Sequence, residues 1–205
     1  ILITHEHEDH IKGAFSLSNK YNIPIYLSHG TFKMAQKKIN TNYNISFNFI
    51  HNTKPFSINE LKITPIPVPH DAREPFQFMF ESNSKSLAII TDLGFVTNYL
   101  IKTLKEITAL VIECNHDKGM LNNSDYPQSL KDRIGGMYGH LENMEAIRLL
   151  KAINHKGISW IAAAHLSEKN NDENLVRQLI AEATNKEMEV IKVIDQKDGL
   201  NWLAV

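Results

Sequence analysis

Short apolar runs alternate with polar turns along the chain, and each run is long enough for one strand or one modest helix. Ile1–Thr4 reads as a buried strand that stops where the polar run His5–His10 begins. Ile11, Ala14, Phe15 and Leu17 recur at helical spacing, which predicts a helix over Ile11–Tyr21. Ile23–Leu27 reads as a strand, Thr31–Ile39 as a helix, and Ile45–Val68 as several short β-type pieces. Prolines 65, 67 and 69 push the last of those pieces toward a sheet edge or an exit loop, because proline donates no ladder hydrogen bond. Gln77–Phe80 and Ser86–Ile90 flank Ser82-Asn83-Ser84-Lys85, a hairpin turn.

Further along, Leu100–Lys105 predicts a short helix and Ala109–Glu113 a buried strand. Residues 115–135 show weak periodicity and read as a long loop, of the kind that usually carries function. Asn143 is placed to cap a helix over Met144–Ile153. Ile158–Ala164 predicts a strand, Leu175–Thr184 a helix, and Val190–Ile194 and Leu200–Val205 two closing strands. Strands and helices mix throughout, so the expected class is α/β (α+β in some schemes), with helices covering sheets in one domain over 1–205.

Composition narrows the partners. The 205 residues are 42% apolar and 22% charged, ordinary for a globular domain. A net charge of -1 leaves no basic surplus to grip nucleic acid at large, so a phosphate-bearing substrate must be held locally. Cys114 is the only cysteine, which removes a disulfide framework and favours a reducing compartment. No apolar stretch or signal pattern suits a membrane, so a cytoplasmic location is expected.

Ten histidines are many for this length, and their placement matters more than their number. His5 and His7 alternate on an extended segment, so both rings project to one side. Asp9 and His10 follow at a predicted strand-to-helix junction that turns them back toward the same point. Imidazole and carboxylate are the ligands that borderline divalent ions take. Three more candidates follow strand-like runs: His70, Asp92 and His165. Loops at strand ends are where a sheet exposes functional groups.

His5-Glu6-His7-Glu8-Asp9-His10 resembles the His-x-His-x-Asp-His motif of the metallo-β-lactamase superfamily. The later order of His70, Thr91-Asp92-Leu93-Gly94, Gly139-His140-Leu141 and His165 resembles its phosphodiesterase branch. Pro69–Pro75, Glu113–Asp117 and His165–Asn171 are similar to the bacterial YycJ/WalJ-type exonucleases. The resemblance implies an αββα sandwich and two divalent ions, Zn²⁺ or Mn²⁺. It implies His5, His7 and His70 on one ion, Asp9, His10 and His165 on the other, and Asp92 between them. It further implies a phosphodiesterase acting on nucleic acid, by family a 5′-to-3′ DNA exonuclease. In that scheme a hydroxide between the ions attacks the phosphate and Asp9 orients the water or takes its proton. His140, just before a helix cap, contacts the phosphate or protonates the leaving oxygen.

His116, Ser167 and Asn171 are weaker candidates for substrate contact, with capping or structural roles as the alternative. His29, His51 and His155 carry no assignment, and Cys114 reads as a core residue. Two other readings stand beside the nuclease: a hydrolase of another ester, thioester or lactam, and a non-catalytic binding protein on the same fold. Because Ile1 opens the chain at a metal loop, an N-terminal segment with further strands is expected to be missing. Ile1–Thr4 is then expected to expose an unpaired edge.

Overall fold

In the computed structural model, which describes residues 1–51, 53–153 and 155–205, nine strands form two sheets. β1 (Ile25–Ser28) and β2 (Phe47–Ile50) pair in parallel. The larger sheet runs in the order β3 (Phe56–Ile58), β4 (Leu61–Pro67), β5 (Phe76–Ser82), β6 (Lys85–Ile90), β7 (Ala109–Glu113), β8 (Trp160–Ala164), β9 (Lys192–Val193). The first four are joined antiparallel and the rest pair in parallel.

The layers follow from which face of each strand is apolar. Ala88, Ile90, Leu110, Ile112, Ile161 and Ala163 pack under α4 (Asn98–Thr103), α7 (Asn143–Ala152) and α8 (Glu173–Thr184). Ile25 and Leu27 of β1 pack with α1 (Glu8–Ile11), α2 (Ala14–Tyr21) and α3 (His29–Ala35). Ile50, Ile63, Phe76 and Phe78, with Leu2 and Tyr26, fill the gap between the two sheets. Helices outside and sheets inside make the αββα sandwich the resemblance implied.

Strand direction decides where the chemistry sits. β6, β7 and β8 are mutually parallel, and β4, two antiparallel steps from β6, runs the same way. His70, Asp92, Glu113 and His165 therefore emerge at one edge of the sheet. Ile1–Thr4 reaches that edge too, because the Thr4 carbonyl accepts from Phe76 N, opposite the end of β4. Ile1–Thr4 is not the unpaired edge expected of it. Ile3 is buried, its N–H donates to the Tyr26 carbonyl and Tyr26 N donates to the Ile1 carbonyl.

Four further expectations change. β4 lies inside the sheet despite Pro65 and Pro67, because β3 ends opposite Ile63 and the proline half has β5 as its strand partner. Residues 115–135 hold two short helices, α5 (Lys118–Asn123) and α6 (Gln128–Ile134). Asp117 caps α5, but α5 buries only Leu121 and α6 buries no residue, so neither leaves an apolar period to read. The cap of α7 is Glu142 rather than Asn143, its carboxylate accepting from Met144 N. Leu200–Val205 forms no strand; the Asp195 carboxylate accepts from Lys197 and Asp198 N and turns the chain after β9. The expectation for Met144–Ile153 lies within described residues, and the side chain of His155 lies outside them. Among the described residues no helix is long and apolar enough to cross a membrane.

Candidate metal centre

The centre divides into two groups of side chains. In the first, His5 Nε2 lies 3.0 Å from His7 Nδ1, and His70 Nε2 lies 3.3 Å from the same atom. The opposite nitrogens are already committed. His70 Nδ1 donates to the Gly139 carbonyl at 3.1 Å, and His7 Nε2 donates to the Asp71 carbonyl at 3.2 Å. The Thr4 hydroxyl sits 3.0 Å from His5 Nδ1 and 3.2 Å from His10 Nδ1, accepting from both rings. Outer hydrogen bonds of this kind fix the tautomer and leave the other nitrogen as a lone pair.

The His7 lone pair then stands 3.0 Å from that of His5 and 3.3 Å from that of His70, and all three ligand atoms lie within 4.8 Å of one another. Nitrogens about 2.0–2.1 Å from a tetrahedral Zn²⁺ stand about 3.3 Å apart, so the trio fits one such ion. Burial, and then the neighbouring rings of His10, His70 and His7, push His5 down to about 2. It offers a neutral lone pair at any physiological pH.

The second group centres on Asp92, which is 2% exposed. Its Oδ2 has no hydrogen-bond partner and lies 3.5 Å from His10 Nε2. Asp9 Oδ2 is also 3.5 Å from that nitrogen. On the other side, Asp92 Oδ1 faces His165 Nδ1 at 3.6 Å and His140 Nδ1 at 3.8 Å. An unpartnered carboxylate oxygen in a buried site calls for a cation. The donor set thus fits divalent metal, with His5, His10 and Asp92 converging as a further cluster. Asp92 and His165 both hold left-handed backbone, φ 52 and 58. Such a conformation costs of order 1–3 kcal/mol per residue and marks functional turns.

Glu113, quoted in the sequence only as the last residue of Ala109–Glu113 and the first of the Glu113–Asp117 run, has a role that sequence reasoning missed. It ends the otherwise apolar β7 and is fully buried. Oε1 accepts from His140 Nδ1 at 3.0 Å and His165 Nδ1 at 2.5 Å, while Oε2 accepts from Leu141 and Leu93 N. Burial opposes its charge, yet the bonds from His140 and His165 outweigh it and hold the carboxyl near 2. For His165, burial likewise opposes protonation, but the Glu113 hydrogen bond and charge raise the ring to about 9. A charged residue closing a strand of Ala-Leu-Val-Ile was the available signal.

His140 therefore owes its place to Glu113 and not to the start of α7, which Glu142 caps itself. With Nδ1 turned to Glu113, Nε2 is its free nitrogen. His7, Asp9, Asp92, His140 and His165 line a cavity of about 450 Å³. Arg133 and Ser167 also line it, and Arg133 Nε donates to Asp71 Oδ2 at 2.7 Å. His116 is 2% exposed and lines a neighbouring cavity instead. Asn171 is turned into the fold: its amide donates to the Cys114 carbonyl and Asn143 Oδ1, and its oxygen accepts from Asn143 Nδ2 and Asp172 N. No bonding capacity is left there for substrate.

The family description "Beta-lactamase superfamily domain" matches residues 1–160. The chain belongs to that superfamily. It is, on that membership, a metal-dependent hydrolase. It is 35% identical over 185 residues to Exodeoxyribonuclease YycJ of Bacillus anthracis, covering 89% of this chain and 69% of that protein. With Exodeoxyribonuclease WalJ of Streptococcus pneumoniae it shares 31% identity over 180 residues, 85% of this chain and 66% of the relative. Among solved structures, the metallo-beta-lactamase fold protein YhfI of Bacillus subtilis superposes with a TM-score of 0.72 at 18% identity. That match covers 98% of this chain and 76% of YhfI, and it bears on the fold alone.

Proposed function

We propose that the protein is a dinuclear phosphodiesterase that degrades DNA from the 5′ end, in the cytoplasm, as one domain over 1–205. The observation that carries this reading is His140, a histidine beside Asp92 whose Nδ1 is fixed by a buried carboxylate and whose Nε2 is free. The two exodeoxyribonuclease relatives support DNA as the substrate.

His5, His7 and His70 would hold one ion, Asp9, His10 and His165 the other, with Asp92 between them. Two such ions, Zn²⁺ or Mn²⁺, would supply charge that polarises a phosphate and lowers the pKa of a water toward about 7. Asp9, largely exposed on the cavity wall, orients the attacking water or takes its proton. His140 Nε2 contacts the scissile phosphate and passes a proton to the leaving oxygen, while Glu113 fixes the ring. Ser167 and the Arg133 guanidinium line the same cavity and offer donors to the backbone.

A panel of DNA and RNA strands with defined 5′ and 3′ ends, run with Mn²⁺ and with Zn²⁺, tests the reading. Nucleotides should leave DNA from its 5′ end in a metal-dependent way. Hydrolysis of a thioester or lactam with no phosphodiester cleavage would overturn it.

A further inference from the structure

A second cavity, of about 510 Å³, lies beside the metal cavity, and His140 lines both. α6 is the partition. Leu130, Arg133 and Ile134 face the metal cavity, whereas Gln128, Lys131, Asp132 and Gly135 face the second one. These are the two faces that a period of 3.6 residues creates. The volume falls within the range of about 300–1,000 Å³ typical of ligand pockets.

The chemistry of its wall selects the ligand. His116 is buried, and its Nδ1 lies 3.3 Å from Asn115 Oδ1. Asn115 Nδ2 donates to the His165 carbonyl, which orients that amide and makes its Oδ1 the acceptor. His116 Nδ1 must then carry the proton, so Nε2 is a lone pair, and among the described residues it has no hydrogen-bond partner. Burial lowers the ring's pKa and keeps it neutral. A phosphate offers acceptors and cannot satisfy that lone pair. Asp132, Glu142 and Glu145 on the same wall further disfavour an anion against Lys118 and Lys131. The amino or imino N–H of a nucleobase satisfies it, and the amide of Asn122 suits a base edge, as does the oxygen of Gln128, whose Nε2 donates to Asp132.

We infer that this cavity receives the nucleobase of the terminal nucleoside, the one carrying the leaving oxygen, with His116 Nε2 accepting from the base. The inference rests on the nuclease reading, because His140 can serve both cavities only if the scissile phosphate lies between them.

The test compares two 5′-phosphorylated oligonucleotides, one natural and one with an abasic tetrahydrofuran residue at the first position, on the metal-loaded full-length protein. Wild-type kcat/KM should fall about tenfold on the abasic strand, the loss expected of one hydrogen bond. His116→Ala should erase that preference, with thermal melting checked. Asn122→Ala, at an exposed wall position, should narrow it even where His116→Ala does not fold. Equal wild-type turnover of both strands overturns the inference alone. A full tenfold preference surviving in folded His116→Ala, or in Asn122→Ala, overturns its placement in this cavity. Cleavage of an aryl phosphodiester but of neither strand overturns the inference together with the nuclease reading.

Discussion

The two halves of the centre would hold cations on different physical terms. The His5-His7-His70 half is drawn mainly from one short run and is aligned by neutral groups, the Thr4 hydroxyl and the carbonyls of Asp71 and Gly139. The Asp92-Glu113-His140-His165 half is assembled from strand and loop ends far apart in sequence and is organised by buried carboxylates. In the first half His5 presents a lone pair already free of a proton. The second holds its histidines by charge, and His165 must give up a proton before it can bind metal.

That contrast is most exposed to a change at His140, which sits in the charged half without being needed as a ligand. His140→Ala should lower phosphodiester turnover by about 10²–10⁴-fold, the worth of a general acid, while elemental analysis finds metal content unchanged. A pH titration separates the halves next. His165, raised to about 9, is protonated at neutral pH, so metal binding there releases a proton and strengthens as pH rises toward 9. Affinity in that half should gain about tenfold per pH unit below 9, whereas His5, held near 2, adds no such slope to the other half. Calorimetric titration at two pH values reads both steps.

Glu113→Gln sharpens the same comparison. It removes the charge that holds His165 protonated, so the slope with pH should flatten below 9. Turnover should fall about 10–100-fold, the usual effect of a group that orients a ligand. Thr4→Val loosens His5 in the neutral half and His10 beside Asp92, and should have the smallest effect, about tenfold in metal affinity, with the pH slope set by His165 kept.

Much of this was legible in the sequence for a physical reason. Metal ligands must alternate or cluster at element junctions, so His5–His10 stood out locally, and His70, Asp92 and His165 each followed an apolar run. The sheet was legible where strands carried continuous apolar residues, as in Ala109–Glu113, whose bounds β7 reproduces. α5 and α6 were not, because helices lying over a site bury almost nothing and so carry no period. Glu113 stood at the head of the Glu113–Asp117 run, but its role was hidden. Its role exists only once β7 and β8 lie side by side and bring His140 and His165 to one carboxylate.

Asp92 is where the halves meet, with one oxygen toward His10 and the other toward His165 and His140. The direct test is metal stoichiometry of the full-length protein and of Asp92→Asn, measured beside hydrolysis of a phosphodiester. Two ions per wild-type chain are predicted, falling to one or fewer with loss of cleavage in Asp92→Asn. Full wild-type activity with a single ion, or an Asp92→Asn protein that keeps two ions and cleaves normally, would contradict a centre joined through Asp92.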